Sequence, residues 1–175
     1  MVIERIWSMP NRLTFTIPPI ARLLEEEVDR SLLWIDPFAN RAHPWATWTN
    51  DLNPAAETTH HGEAVDFVRS FAEESVDGVL FDPPYSPRQI KECYDAIGLK
   101  VTMQTTQASF YGNVKNAMAR VVKPGGTVIS FGWNTNGMGR GRGFEIVRIL
   151  LVPHGAAHND TIVTVEKRVD NGANL

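Results

Sequence analysis

Residues Val79-Leu80-Phe81-Asp82-Pro83-Pro84-Tyr85 read VLFDPPY. An apolar run ends in a carboxylate, two prolines and an aromatic ring. Proline has no backbone N–H and cannot donate to a strand ladder, so a strand entering this stretch stops at Asp82. Reading outward, Leu32–Asp36 (LLWID) is a second short apolar strand that ends in an acid, and Ala46–Asp51 (ATWTND) is an alternating strand that does the same. Further strands are predicted at TVISFGWN (127–134), FEIVRILLV (144–152) and TIVTVEKRV (161–169). Ile20, Leu23, Leu24 and Val28 recur at helical spacing after Pro18 and Pro19, which predicts a helix over 18–29. Ala64, Phe67, Val68 and Phe71 predict another over 62–75. Segments 86–98 and 108–122 read as helices closed by Gly98 and by the turn KPGG. Early strands alternating with helices, then a closing strand pair, imply a mostly parallel α/β sheet with an antiparallel edge. Such sheets bind ligands at the carboxyl ends of their strands. Asp36, Asp51 and Asp82 all fall there, so three acids converge on one edge.

The composition reads as an ordinary soluble globular chain: 175 residues, 43% apolar and 21% charged. That length suggests one domain over 1–175, able to bury roughly two-thirds of its unfolded surface. A net charge of −3 neither requires nor excludes nucleic acid, because a local basic patch decides that. The lone Cys93 excludes an intrachain disulfide and a cysteine-rich zinc site, and makes a reducing cytoplasm the default location. No apolar run reaches membrane-spanning length, and the start MVIERIWSMPNR is too polar for a signal peptide, so no membrane partner is expected. His154, His158 and Asp160 in HGAAHND read as a turn between strands, and no metal is expected. His60 and His61 are read as shaping a cleft. Trp45 and Trp48 could each stack on a base, with core packing favoured for Trp48.

The chemistry of Asp82-Pro83-Pro84-Tyr85 follows from its parts. An exocyclic amine on a nucleobase is a poor nucleophile, because its lone pair is delocalised into the ring. A carboxylate and a main-chain carbonyl placed together accept hydrogen bonds from that amine, hold it towards tetrahedral geometry and localise the lone pair. The prolines stiffen the loop, so the acceptors are preorganised. The adjacent ring offers a stacking surface for a base taken out of its helix. A carboxylate also stabilises the positive charge that develops on nitrogen. Hydrolytic signatures are missing: no G-x-S-x-G, H-E-x-x-H or Walker motif occurs. The plainer alternative is that Asp82 caps a turn and the prolines only end a strand.

On these residues the sequence resembles the S-adenosylmethionine-dependent amino-methyltransferases of the DNA adenine-N6 and cytosine-N4 type. Asp82-Pro83-Pro84-Tyr85 matches that family's catalytic motif in the form most associated with adenine. Trp34–Asn40 (WIDPFAN) resembles its first cofactor motif, a strand running into Asp-Pro-Phe-x-Gly-x-Gly. Thr49–Pro54 (TNDLNP) resembles the second, whose acid binds the ribose hydroxyls. His61–Val68 (HGEAVDFV) resembles the third, in which an acid near the adenine amino group precedes a small residue. Ala119–Phe131 (ARVVKPGGTVISF) resembles the strand and turn that close the sheet, and Phe15–Val28 sits where some members carry a cofactor-contacting helix. The resemblance covers roughly residues 13–168. It implies a class I, Rossmann-like fold with a mostly parallel seven-stranded sheet and an antiparallel edge. It implies S-adenosyl-L-methionine as cofactor, held by Thr16, Asp36, Pro37, Phe38, Asn40, Asp51, Leu52, Glu63 and Ala64. It implies Asp82, Pro83, Pro84 and Tyr85 as catalytic residues, DNA as partner and adenine N6 as target. An RNA base as target and a non-catalytic subunit that binds nucleic acid remain alternatives.

The sequence departs from that pattern twice. After Asp36-Pro37-Phe38-Ala39 comes Asn40-Arg41-Ala42-His43-Pro44-Trp45, with no glycine. Asn40 can take the left-handed conformation and substitute in part. Too few residues separate Asp36 from the next strand for a full crossover helix, so that helix is expected to be shortened or missing, with the helix at 18–29 supplying cover. Second, no target-recognition domain fits between Tyr85 and Ser109 or between Trp133 and Phe144. The latter stretch carries Arg140 and Arg142, which either bind phosphate or decorate a flexible hairpin loop. Arg88 and Lys91 are further nucleic-acid candidates, against a solvated helix face. A lone protomer is therefore expected to read only a short sequence, or to prefer single-stranded or distorted substrate. Longer specificity would need a second protomer in a homodimer, or a partner subunit.

Overall fold

The apolar runs that end in acids lie side by side in one sheet. A computed structural model describes residues 1–84, 87–96, 98, 108–155 and 158–170. Among them the strands are β1 (Val2–Arg5), β2 (Trp34–Asp36), β3 (Trp48–Asp51), β4 (His60–His61), β5 (Val76–Phe81), β6 (Val122–Gly132), β7 (Phe144–Val152) and β8 (Thr161–Arg168). They form an eight-stranded sheet in the order β1-β7-β8-β6-β5-β2-β3-β4. All neighbours are parallel except that β8 runs against both β6 and β7. The eighth strand is β1, which pairs with β7 from Val2↔Arg148 to Arg5↔Leu151. Its four residues are mostly exposed, so backbone pairing at the sheet edge makes it a strand and no apolar pattern announces it.

Among the described residues the α-helices that flank the sheet are α1 (Pro18–Glu27), α2 (Ala64–Arg69), α3 (Pro87–Ala96) and α4 (Ala108–Val121). Side chains alternate across each strand, so one sheet supplies two core faces. Val79 and Phe81 join Ile35 and Val128 under α2 and α4, where Phe67, Val68, Val114 and Met118 pack. Leu80 and Ile129 point the other way, against Ile20, Leu23 and Leu24 of α1. Residues 37–47, between β2 and β3, contain no helix. The face that a crossover would have covered is therefore closed by α1, whose buried aliphatic side chains contribute about 2 kcal/mol each. Gly78 has a packing reason: a Cβ there would lie 2.4 Å from the Trp34 ring, which crosses the backbone of β5.

The two tryptophans exchange their expected places. Trp45 is buried under the guanidinium of Arg30, 4.3 Å from its ring centre, while Trp48 is 41% exposed. Trp48 opens β3, and β4 pairs only with Asn50 and Asp51, so among the described residues the sheet offers the ring only the His60 side chain, edge-on. Helix α2 is shorter than its apolar spacing predicts and ends at Arg69, before the left-handed Glu74. No helix among the described residues is long and apolar enough to cross a membrane.

Candidate functional site

Chain order runs outward from β2 through β3 to β4, then returns to β5 on the other side of β2. The sheet therefore reverses direction between β2 and β5, and the crevice at such a switch point is where these sheets hold ligands. Asp36-Pro37-Phe38 leaves one side of it and Asp82-Pro83-Pro84 the other; the Phe38 and Phe81 rings meet across it with centres 5.8 Å apart.

Asp36 is fully buried, and each carboxylate oxygen has a partner in the following loop. Oδ1 accepts the Phe38 N–H at 2.9 Å, and Oδ2 lies 2.9 Å from His43 Nε2. His43 Nδ1 accepts the Trp45 N–H at 3.3 Å, which leaves Nε2 to carry the hydrogen and donate it to Asp36. Asn40 adopts φ +58°, the left-handed conformation expected of a glycine substitute. The buried amide of Asn50 ties the ends of the first strands together, donating to the carbonyls of Pro37 at 3.1 Å and Gly62 at 3.0 Å.

Asp51 ends β3, half-buried beside Leu52. Its Oδ1 accepts the Asn53 N–H at 2.7 Å, and Oδ2 has no partner among the described residues. A carboxylate with an open oxygen at the mouth of the crevice fits a pair of hydroxyl donors. Glu63 stands at the N-cap of α2, next to the buried Ala64, and both its oxygens accept from Tyr94 of α3, at 3.0 and 3.2 Å. Thr16 lies elsewhere: its hydroxyl donates to Leu13 O at 2.8 Å, and it lines a separate groove with Trp7 and Arg22. Its neighbour Phe15 is the residue that reaches the site, against His43 (4.9 Å between centres) and Phe131 (5.0 Å).

The motif loop closes a second compartment, a cleft of about 140 Å³ lined by Phe81, Pro83, Pro84, Tyr111, Lys115 and Trp133, among others. Asp82 is half-buried and Pro83 buried; Tyr85 lies outside the described residues. The Pro84 carbonyl accepts the Tyr111 hydroxyl. Lys115 of α4 lies 5.8 Å over the Phe81 ring and donates to the Gly137 carbonyl. Burial, then Arg142 nearby, pushes its ammonium below the ordinary lysine range, with Glu166 pulling the other way. Tyr111 and Lys115 stand four residues apart on one helical face, a spacing visible in the sequence, although nothing local says which cleft that face lines. Trp133 closes the end of β6 and is 43% exposed.

The basic candidates divide. Arg140 is exposed, whereas Arg142 is committed to the protein, with Nε on Asn116 Oδ1 at 2.7 Å and a terminal nitrogen on the Met138 carbonyl at 3.0 Å. Lys91 pairs with Asp95 at 2.6 Å on the outer face of α3, and the side chain of Arg88 lies outside the described residues. His60 packs edge-on against Trp48 and tilted against Phe67. His154 is a buried structural residue: its ring nitrogens meet Ser8 O and Thr161 Oγ1, each at 2.9 Å. No cluster of three or more metal-ligating side chains occurs among the described residues.

The sequence matches no protein-family profile and no curated protein. The structure does have relatives. It superimposes on the 1,6-didemethyltoxoflavin-N1-methyltransferase of Burkholderia thailandensis, crystallised with 1,6-didemethyltoxoflavin and S-adenosylhomocysteine, with TM-score 0.57 at 14% identity over 87% of this chain and 77% of that one. It superimposes on TrmN of Thermus thermophilus with TM-score 0.57 at 16% identity, over 87% of this chain and 49% of that one, so it spans about half of TrmN. It also superimposes on the Escherichia coli protein yhhF with TM-score 0.56 at 12% identity, over 93% of this chain and 91% of that one. The fold is that of the class I, Rossmann-like methyltransferases.

Proposed function

We propose that this protein transfers a methyl group from S-adenosyl-L-methionine to an exocyclic base amine in nucleic acid, with adenine N6 in DNA as the target. One observation carries the reading: Asp82-Pro83-Pro84 leaves the carboxyl end of β5 at the switch point of a methyltransferase fold, beside a cleft with an exposed tryptophan. Asp51 would take the ribose hydroxyls through its open oxygen. Glu63, Phe38 and the backbone around Asn40 would line the adenosine side of the crevice. Asp36 acts one step back, by holding the loop that carries Phe38 and Asn40. The bound cofactor supplies an electrophilic methyl group on a sulfonium. The Asp82 carboxylate and the Pro83 carbonyl would accept from the amine, holding its lone pair localised for attack on the methyl carbon; the C–S bonding pair would leave with S-adenosylhomocysteine, the Asp82 carboxylate would stabilise the positive charge that grows on nitrogen, and the methylated amine would then lose one proton to solvent. Tyr85 stacks on the base.

The test is mass spectrometry of nucleosides after incubation of DNA and RNA pools with isotopically labelled cofactor. Labelled N6-methyladenosine of the deoxy series is expected. Label in ribonucleosides alone would move the target to RNA. One observation favours a second reading, a non-catalytic subunit that binds nucleic acid: the glycine-free loop folds back on Asp36 and occupies both its oxygens. Titration calorimetry separates the two, because that subunit would give no heat with the cofactor.

A further inference from the structure

Among the described residues ten large apolar side chains stand exposed, and six of them fall within residues 1–9: Met1, Val2, Ile3, Ile6, Trp7 and Met9. Single exposed apolar residues are ordinary, whereas a cluster marks an interaction surface. This cluster follows β1, an outer strand of the sheet. The ladder with β7 shows which backbone groups β1 has already used. The Ile6 N–H donates to Leu151 O at 2.9 Å, and the Ser8 N–H to Pro153 O at 3.2 Å. Backbone groups alternate sides along a strand, so Val2 and Glu4 also turn theirs to β7, while Ile3, Arg5 and Trp7 turn theirs outward.

Proteins usually blunt such an edge with lysine, proline or a bulge. Here the register runs unbroken from Val2 to Arg5, and Pro10 is the first proline. The one acid, Glu4, is drawn back onto Arg148 at 2.6 Å. Neither face of the strand is covered: Val2 is 56% exposed and Ile3 59%. Ile3 shares its face with Ile149 and Leu151 of β7, which are half-buried and belong to neither core cluster.

An edge with outward donors and acceptors and apolar side chains on both faces takes another strand, and its own copy fits it in one register. A two-fold axis at Ile3 sets Ile3 against Ile3, Val2 against Glu4 and Arg5 against Met1. The next two registers set Glu4 against Glu4 or Arg5 against Arg5, and like charges directly opposite destabilise a ladder. We propose that two copies of this chain pair antiparallel through β1 about a two-fold axis at Ile3, joining their sheets into one. The apolar row Ile149–Ile3 then continues across the junction into Ile3–Ile149 of the second copy.

This rests on the fold and not on the function proposed above. Reversing β1 against itself points the carboxyl ends of the two sheets in opposite directions. The two crevices open on opposite edges, about ten strand spacings or about 50 Å apart. Each acts alone, so this homodimer does not lengthen the stretch of substrate that one crevice reads.

Sedimentation velocity of the full chain tests it, run from about 1 to 200 µM because an interface this small belongs to the weak class. The wild-type protein is expected to pass from monomer to dimer across that range. Ile3→Pro is expected to stay monomeric with the wild-type melting temperature at low concentration, since proline there removes only an outward N–H. Two cysteine variants in a Cys93→Ser background check the register. Ile3→Cys is expected to give a disulfide-linked dimer on air oxidation. Arg5→Cys is expected to give none, because the two Arg5 residues stand four positions apart and a disulfide needs Cα atoms within about 7 Å. A wild-type protein that stays monomeric, or a dimer that persists in folded Ile3→Pro, overturns the proposal. If Ile3→Pro does not fold, the cysteine variants decide, and linkage through Arg5→Cys in place of Ile3→Cys overturns it too.

Discussion

Replacing Gly137 by alanine tests the braced loop without touching the crevice. Gly137 has φ +42°, and a Cβ placed there would lie 2.1 Å from Glu166 Oε2 and 2.5 Å from its carboxyl carbon. Glu166 cannot step aside, because it is fully buried and both its oxygens are held by backbone N–H groups. Two costs follow. A left-handed conformation costs an L-residue about 1–2 kcal/mol. Opening one hydrogen bond to a buried carboxylate costs about 1.5–3 kcal/mol. The expected loss is therefore about 2.5–5 kcal/mol, against a total stability of about 5–15 kcal/mol for a domain, so the variant folds but is weakened. Equilibrium urea unfolding followed by circular dichroism measures it, with Gly141→Ala as control: a Cβ there meets nothing within 4 Å, and the change is expected to stay within about 0.5 kcal/mol. A loss below about 1 kcal/mol in Gly137→Ala, or one equal to the control, would show that Glu166 does not clamp this loop.

Asp82→Ala is expected to lower methyl transfer about a hundredfold or more while leaving cofactor Kd unchanged; transfer at the wild-type rate refutes the role given to the motif. Asp51→Ala is expected to weaken cofactor binding by about 1.5–3 kcal/mol in a calorimetric titration, and equal affinity would mean that the ribose is held elsewhere. The acid limb of stability should depend on Asp77. Burial raises its carboxyl pKa, but the Lys123 ammonium at 2.6 Å and the Leu33 N–H at 2.9 Å outweigh that and leave it below the ordinary aspartate value. The folded state then binds this proton less tightly than the unfolded state, so the contribution is complete above about pH 4 and is lost as pH falls through the depressed value. Asp77→Asn should flatten the acid side of a melting-temperature profile, and a profile parallel to wild type counts against it.

What the sequence made legible is what local chemistry controls. The acids that end β2, β3 and β5 stand out because each closes an apolar run, and the prolines after Asp82 stop a strand wherever they occur. Asn40 could be expected in the left-handed region because few other side chains tolerate it. The missed features depend on partners far along the chain. Strand β1 exists through its ladder with β7, more than a hundred residues away. Trp48 is exposed because β4 is too short to cover it. The stretch WNTNGMGRGRGF reads equally well as a phosphate loop or a flexible hairpin, because what stiffens it is a carboxylate on β8 and a lysine on α4. Arg142 looked like a phosphate ligand for the same reason: its partners, Asn116 and Met138, come from outside its own turn.

The missing crossover, the glycine-free loop and the N-terminal elements make one arrangement. Without a helix between β2 and β3, one face of the central strands would stand open. The chain covers it from the front: β1 docks on the far edge, Phe15 packs on His43 and Phe131, and α1 lies across the face. Arg148 on β7 locks these pieces, donating to Glu4 of β1 and to Glu26 and Glu27 of α1 at 2.6–3.0 Å. These bonds outweigh its burial and hold its pKa above even the usual arginine value. A glycine loop followed by a helix would offer a ligand backbone N–H groups and the positive end of a helix dipole. Here that end of the crevice presents Asp36 already satisfied by His43, and a loop shaped by side chains. On the role proposed for it, the carboxylate of Asp51 would carry a larger share of cofactor binding than it would beside a glycine loop. The Asp51→Ala titration accordingly belongs at the upper end of its expected range.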